Sequence, residues 1–131
     1  MLAQRGFTLI ELIAVMVIIG VMSVTLFSRL GSINSTNVQA SRDDLIAALF
    51  FAQQTAMARS GVQLVLTANT VTVTENLTAL RGYPLNLASG ITATPATFSY
   101  DKLGRTSARV ITLTSSGGSA VITVEASGYA R

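Results

Sequence analysis

The chain has 131 residues, enough for one domain; half of them are hydrophobic, 11% are charged, and the formal net charge is +3. It contains no Cys and no His, which excludes disulfides, thiolate chemistry, Cys/His zinc sites and histidine acid–base catalysis. The small excess of nine basic over six acidic residues does not by itself argue for a nucleic-acid partner.

An apolar run occupies residues 7–27 and holds one ionisable residue, Glu11. As an α-helix it would be about 31 Å long at about 1.5 Å per residue, which matches a hydrocarbon core of about 30 Å. Lipid offers no partner to backbone amides, so a helix is the viable state there despite the many β-branched residues. The run therefore predicts a single membrane span.

A cleaved secretory signal peptide is the main alternative for this segment. Its apolar stretch would be about 7–15 residues long and would end at a small-x-small cleavage site. The run here is longer, and the sequence that follows it, SRLGSINSTNVQASRDD, has no Ala-x-Ala. We therefore expect a retained segment, with Arg5 on the cytoplasmic side and the rest of the chain outside the inner membrane.

Glu11 lies where an intramembrane carboxylate costs roughly 2.5–3.5 kcal/mol on insertion scales. The residues alone leave two interpretations open: the carboxylate reaches the headgroups from the membrane edge, or it pairs with a cation. The run contains no Lys, Arg or His. The cation would therefore come from another chain, or from an α-amino group created by cleavage.

A second helical pattern begins at Ser41, among Ser and Asp residues typical of a helix start, and stops at Gly61. Its apolar residues recur at helical spacing and predict one packing stripe: Leu45, Ala48, Leu49, Ala52 and Ala56. The segment before it, GSINSTN, has low helix propensity. We expect one continuous helix or two collinear pieces, with this segment as the joint.

From Val62 onwards the apolar period changes to two, which is typical of strands. VQLVLT and TVTVTE form one predicted hairpin, and RVITLTS and SAVITVE form another. ATFSY predicts a further strand, and residues 80–96, which hold both prolines, predict a long loop with room for a short strand. A sheet of this size buries too little alone, so the helix stripe is its expected cover.

The residues give little support to catalysis or metal binding. Glu75, Asp101 and Glu125 are the only acids after Asp44, and they are too scattered for a calcium or paired-carboxylate site, so we expect solvated surface charges. Without His there is no ordinary catalytic triad. We expect neither an enzyme nor a metal or cofactor site. Several basic residues could touch phosphates, although a solubilising surface is the simpler interpretation: Arg81, Lys102, Arg105, Arg109 and Arg131.

The N-terminal residues resemble the class III signal of type IV prepilins and type II secretion pseudopilins. The leader MLAQRG ends in Gly6, and FTLIE follows with Phe7 and Glu11 at the spacing of that family. The resemblance implies that a prepilin peptidase cleaves between Gly6 and Phe7, and that the new amine of Phe7 is methylated. It also implies that Glu11 pairs with the N-terminal amine of a neighbouring subunit, so that its burial is compensated in the assembled state.

The rest of the chain is similar to H-type minor pseudopilins and their type IV pilus relatives, the GspH/FimT group. The similarity includes a Leu/Ala-rich helix that runs into a strand and an Asp-x-x-Gly-Arg turn at Asp101–Arg105. The ending SGYAR is similar to a minor pilin of mannose-sensitive haemagglutinin (MSHA) pili. The chain departs from major pilins in lacking a Cys pair. It also has only Arg131 of the two tail arginines of DNA-uptake members, which implies at most weak DNA contact, at Arg105 and Arg131.

The resemblance implies an α+β, pilin-like fold: a long N-terminal hydrophobic helix, with a transmembrane half and an amphipathic half, packed on a small antiparallel β-sheet. The expected segments are the leader 1–6, the transmembrane or filament-core helix 7–28, the periplasmic amphipathic helix 29–60 and the sheet part 61–131.

The implied function is a minor pilin or pseudopilin, a structural subunit of a periplasm-spanning filament. Its expected partners are prepilin peptidase, other pilin or pseudopilin subunits and the bacterial inner membrane. The alternatives are a DNA-binding minor pilin for uptake, a minor pseudopilin of type II secretion, and a plain single-span anchored domain. The last leaves the coincidence of Gly6, Phe7 and Glu11 unexplained.

Overall fold

The computed structural model describes residues 8–131, except for the side chains of residues 27–34. In this part of the chain one long helix, α1 (Leu9–Ala58), precedes the strands. The strands are β1 (Val62–Leu66), β2 (Thr70–Glu75), β3 (Thr78–Ala79), β4 (Leu85–Asn86), β5 (Thr92–Ala93), β6 (Ala96–Ser99), β7 (Arg109–Ser115) and β8 (Gly118–Val124). A long N-terminal helix followed by antiparallel strands confirms the predicted α+β fold class.

The chain divides into two compact units, Met1–Ile33 and Asn34–Arg131. The first unit contains the apolar N-terminal part of α1. The second contains the rest of α1 and the strands, and the hydrophobic core lies within it. The predicted segment limits at residues 6, 28 and 60 stay predictions.

In the second unit α1 buries one stripe of apolar side chains against the strands. The predicted stripe residues are at most 2% exposed, which confirms the prediction: Leu45, Ala48, Leu49, Ala52 and Ala56. Val38 and Ser41 extend the buried stripe toward the N-terminus. The helical period of about 3.6 residues places all these positions on one side of α1, so a single face covers the strands.

Ser41 lies inside α1, so the continuous helix is the one of the two predicted arrangements that is present, and the capping pattern at Ser41 does not mark a helix start. Its side chain is buried, and its Oγ accepts a hydrogen bond from the Ala88 backbone N–H at 3.2 Å. The hydroxyl therefore satisfies a donor of the 80–96 segment. A serine that caps a helix and one that bonds across a core are indistinguishable by residue type.

Gly61 follows the end of α1, as the sequence predicts. Its φ is +74°, a left-handed conformation that favours glycine. A Cβ at this position would overlap the Asn76 side chain. The Asn76 N–H also donates to the Gly61 carbonyl oxygen at 2.9 Å, so the turn after the helix packs against the turn after β2.

The first sheet has the order β3-β2-β1-β6, with β4 paired to β2, and its pairings are antiparallel. The predicted first hairpin is β1–β2, in which Leu64 lies opposite Val73. Both side chains are fully buried. The alternation of the strand thus directs one face of the sheet to the core.

The second sheet has the order β5-β7-β8. The predicted second hairpin is β7–β8, in which Ser115 lies opposite Gly118 across a two-residue turn. Ile111 and Ile122 lie opposite each other and are fully buried. Both predicted hairpins are therefore confirmed.

The strands form two sheets, whereas the sequence predicts one. The chain passes from the second sheet to the first between Ala93 and Ala96. Pro95 lies at this crossing and has no N–H with which to continue a ladder. The short strands β4 and β5 lie inside the predicted 80–96 loop, and β3 is too short to show a period of two.

Candidate functional site

The start of α1 places Glu11 in the first helical turn. Thr8 precedes the helix, and its Oγ1 and carbonyl oxygen both accept the Glu11 backbone N–H, at 3.4 and 3.1 Å. Thr8 is therefore the N-cap and Glu11 occupies position N3. Hydrophobic patterning does not reveal this role of Thr8. The role is indicated instead by the Thr-x-x-Glu spacing, which is typical of a capping box.

The Glu11 side chain is exposed, and no cation of the described residues lies within ion-pair distance of its carboxylate. A carboxylate in the first turn interacts favourably with the positive end of the helix dipole. Its oxygens nevertheless keep their capacity to pair with an amine from outside the described residues.

The first unit exposes its apolar side chains. The segment Leu9–Leu26 has a mean hydropathy of 2.6, and none of it is buried. By length and composition, it is the one helical segment of the described residues that could cross a membrane. A surface this apolar is unfavourable in water, and lipid or other helices would stabilise it. The leader 1–6 and the predicted cleavage and methylation sites, Gly6 and Phe7, lie outside the described residues.

The Asp-x-x-Gly-Arg segment forms a closed turn at the surface of the second unit. Asp101 Oδ1 accepts the backbone N–H groups of Leu103 and Arg105, at 2.9 and 2.8 Å. Its Oδ2 accepts Arg105 Nε–H at 2.9 Å. The Arg105 backbone N–H, followed by the Arg105 side chain and the Leu103 N–H, lowers the pKa of the Asp101 carboxyl below its usual 3.8.

Arg131, the other predicted DNA-contact residue, is also paired. Its Nη2 lies 3.4 Å from Glu125 Oε1. Its backbone N–H and carbonyl oxygen exchange hydrogen bonds with Thr123, at 3.1 and 2.8 Å. Both predicted DNA-contact arginines therefore have a carboxylate beside them, which reduces the positive potential that phosphates would meet.

Gln53 on α1 joins the Asp101–Arg105 turn to a second turn, in which the Gly128 N–H donates to the Glu125 carbonyl oxygen at 2.9 Å. Its Nε2 donates to the Gly104 carbonyl oxygen at 3.1 Å and to the Ser127 carbonyl oxygen at 3.0 Å. Gly128 lies so close that a Cβ there would overlap the Gly104 carbonyl oxygen. Gln53 has no predicted role, because its only signal in the sequence is an amide beside an apolar helix stripe.

The sequence predicts solvated surface charges for the three scattered acids, and in the structure each of them also lies beside an arginine. Asp101 and Glu125 have the arginine partners described above, and Glu75 Oε2 lies 2.8 Å from Arg59 Nη1. By contrast, three basic residues make no ion pair within the described residues: Arg81, Lys102 and Arg109. All these groups are at least partly exposed, so each pair contributes little stability.

A shallow groove of about 410 Å³ lies between the end of α1 and the segment that follows β3. It is lined by Phe51, Gln54, Thr55, Ala58, Arg59, Leu80 and Arg81.

The described residues contain no cluster of three potential metal ligands. The Tyr100 hydroxyl is buried without a hydrogen-bond partner in this part of the chain, and burial raises the pKa of Tyr100 to about 12. Nothing in this arrangement resembles a catalytic constellation.

Two comparisons with known proteins bear on this geometry. The family model of the prokaryotic N-terminal methylation motif matches residues 1–27, which include Glu11. The solved structure of the type IV minor pilin FimU from Pseudomonas aeruginosa matches with a TM-score of 0.55 and 14% identity, over 71% of this chain and 90% of FimU. The chain therefore carries the N-terminal methylation motif, and its fold is like that of FimU.

The motif and the fold together support the pilin and pseudopilin superfamily. No curated protein sequence matches the pilin-like chain. The candidate functional site is therefore the N-terminal helix with Glu11, and the paired arginines near the C-terminus are a secondary feature.

Proposed function

We propose that this chain is a minor pilin that joins a type IV-like filament spanning the periplasm, near the filament tip. One observation carries the proposal: an exposed apolar helix, Leu9–Leu26, has at its start a carboxylate, Glu11, without a cation among the described residues. In a filament, neighbouring helices cover the apolar surface and a neighbour's N-terminal amine pairs with Glu11. A single chain in water provides neither.

In this function the leader 1–6 is removed by prepilin peptidase between Gly6 and Phe7, and the new amine of Phe7 is methylated. The segment 7–28 holds the precursor in the inner membrane with its N-terminus cytoplasmic, and the remainder lies in the periplasm. The likeness in fold to a type IV minor pilin supports a pilus subunit. The subgroup that we propose is the GspH/FimT group, with an MSHA-type minor pilin as one form of it. A minor pseudopilin of type II secretion is the alternative to a pilus subunit.

The processing step tests the proposal directly. We expect the intact mass of the protein from its host to show the loss of Met1–Gly6 and one added methyl group on Phe7. Gly6→Ala should be cleaved poorly, because we expect the peptidase site to need a residue without a side chain at that position, whereas Gln4→Ala in the same leader should be cleaved normally. A filament subunit that retains its leader would refute the assignment.

A further inference from the structure

Residues 125–131, which follow β8, form a strap that turns back along this strand and reaches α1. The Thr123 N–H donates to the Arg131 carbonyl oxygen at 2.8 Å, and the Arg131 N–H donates to the Thr123 carbonyl oxygen at 3.1 Å. The Thr106 N–H, from the segment before β7, donates to the Ala126 carbonyl oxygen at 3.1 Å. The strap is therefore attached to the rest of the second unit largely through backbone groups.

The strap meets α1 at the Gln53 side chain. The amide nitrogen of Gln53 has two hydrogens, and it donates at 3.0 Å to Ser127 of the strap and at 3.1 Å to Gly104, which lies outside the strap. Gly128 packs directly against this amide, since a Cβ there would overlap both the Gln53 amide nitrogen and the Gly104 carbonyl oxygen. One side chain of α1 thus binds the strap and the neighbouring turn together.

Apart from this amide, the strap has few contacts that resist its opening. Among its residues, all of which the structure describes, Ala130 is the one with a buried side chain. Tyr129 is 49% exposed and contacts Phe50 of α1 edge-on, with 6.1 Å between the ring centroids. The ion pair between Arg131 and Glu125 is exposed and contributes little stability. Segments that bury so little apolar surface open locally at a lower free energy than a packed core does.

We propose that the strap opens as a unit, separately from the two sheets, and that Gln53 is the residue that holds it closed. Opening exposes the Phe50 ring and the N–H and C=O groups of Thr123, which the closed strap covers. The β7–β8 ladder stays closed, because the buried pair of Ile111 and Ile122 is held by the pairing of those two strands and not by the strap.

The chain contains no cysteine, so a single introduced thiol can report the opening of its surroundings. The test uses the full-length chain in detergent micelles and measures the rate at which the thiol reacts with a small disulfide reagent. Ala130→Cys places the thiol in the strap, and Ala120→Cys places it in β8, at positions that are 3% and 6% exposed. A buried thiol reacts only when its surroundings open, so we expect the Ala130→Cys chain to react at least about tenfold faster.

Substitutions at Gln53 show whether this residue holds the strap. Gln53→Ala removes both hydrogen bonds, and we expect it to raise the rate of the Ala130→Cys chain at least about fivefold and to leave that of the Ala120→Cys chain unchanged. Gln53→Glu keeps the size of the side chain but directs a carboxylate at two carbonyl oxygens, so it should have at least the same effect. Gln54→Ala and Gln54→Glu, at the exposed neighbouring position, are the matched controls and should change neither rate.

Three results would overturn the inference. If the Ala130→Cys chain reacts no faster than the Ala120→Cys chain while Gln53 is intact, the strap opens only together with β8. This comparison does not require the Gln53 variants to fold. If Gln53→Ala leaves the rate of the Ala130→Cys chain unchanged, Gln53 does not hold the strap. If Gln53→Ala raises both rates equally, the residue supports the whole second unit and the strap is not a separate element.

Discussion

At the residue scale, the start of α1 combines a local role with a role that needs a partner. Thr8 caps the helix and Glu11 occupies the third helical position, so both stabilise the first turn. The carboxylate of Glu11 remains exposed and has no cation among the described residues. Substitutions that separate capping from charge therefore distinguish the two roles.

We predict that Glu11→Gln is processed and inserted normally but is depleted from sheared filaments. Glutamine keeps the size and hydrogen-bonding capacity but removes the charge, which leaves the neighbour's amine buried and unpaired at a cost of roughly 3–5 kcal/mol. Thr8→Ala is the control, because it weakens the cap by about 1 kcal/mol but keeps the carboxylate. It should enter filaments more readily than Glu11→Gln does.

Quantitative immunoblots of sheared filaments and of membranes measure both variants. Partial depletion of Glu11→Gln agrees with the prediction, because neighbouring subunits keep their own glutamate. Incorporation at the level of the unsubstituted chain would show that this carboxylate is not the assembly determinant.

A second residue-scale prediction concerns pH. Hydrogen bonds from the Arg105 backbone N–H and its side chain lower the pKa of Asp101 in the folded state. A lowered pKa adds stability above the usual value of 3.8, and this stability is lost as the pH falls through the folded-state pKa. We expect Asp101→Asn to lower the free energy of unfolding at pH 7, and the difference from the unsubstituted chain to vanish on acidification. Urea unfolding between pH 7 and 2 measures this, and a difference independent of pH would contradict it.

At the element scale, α1 has different surroundings in its two units. Its N-terminal part, Leu9–Leu26, exposes apolar side chains throughout. Its part in the second unit buries the stripe Leu45–Ala56 against the strands, and Gln53 beside that stripe joins the turns that carry Gly104 and Ser127. The helix is therefore part of the core of the second unit, and without it the strands would lack their cover.

We predict that a chain beginning at Ser35 folds as a soluble monomer and that Leu49→Asp unfolds it. Leu49 is fully buried, and an unpaired carboxylate in its place should cost at least about 4 kcal/mol, close to the whole stability of a small domain. Gln54→Asp, at an exposed position of the same helix, is the control and should remain folded. Circular dichroism during thermal unfolding distinguishes the two, and a fully folded Leu49→Asp variant would contradict the orientation of the helix.

At the scale of the whole molecule, the charge is distributed in pairs. Within the second unit, four arginines lie beside a carboxylate: Arg42, Arg59, Arg105 and Arg131. Each carboxylate lowers the positive potential around its arginine, which agrees with the weak case for DNA binding made by the incomplete arginine tail.

We predict that the chain beginning at Ser35 binds DNA weakly and that binding decreases steeply between low and physiological salt. If the ion pair with Glu125 restrains Arg131, then Glu125→Gln should strengthen binding more than Asp44→Asn does. Asp44→Asn changes the net charge equally, at a residue without an ion pair in the described part of the chain. Fluorescence anisotropy measures both. Micromolar or tighter binding at physiological salt, abolished by replacing Arg105 and Arg131, would favour DNA uptake instead.

The sequence by itself determined the local features of this protein. The apolar run with Glu11, the stripe Leu45–Ala56 and the hairpins β1–β2 and β7–β8 are all visible in the spacing of residue types. Each depends on a period or on a turn between sequence neighbours, so a short window of the chain contains the whole signal. The methylation motif is likewise confined to residues 1–27.

Only the tertiary structure decided which distant groups meet. The hydrogen bonds Ser41–Ala88 and Gln53–Ser127 join residues that are 47 and 74 positions apart. Both side chains therefore hold α1 to distant segments, although the sequence suggests a helix start for Ser41 and no role for Gln53. The division into two sheets also depends on which strands become neighbours. Such partners follow from the packing of the helix on the strands, because a buried polar group bonds to whatever the fold brings within about 3 Å, whatever its position in the sequence.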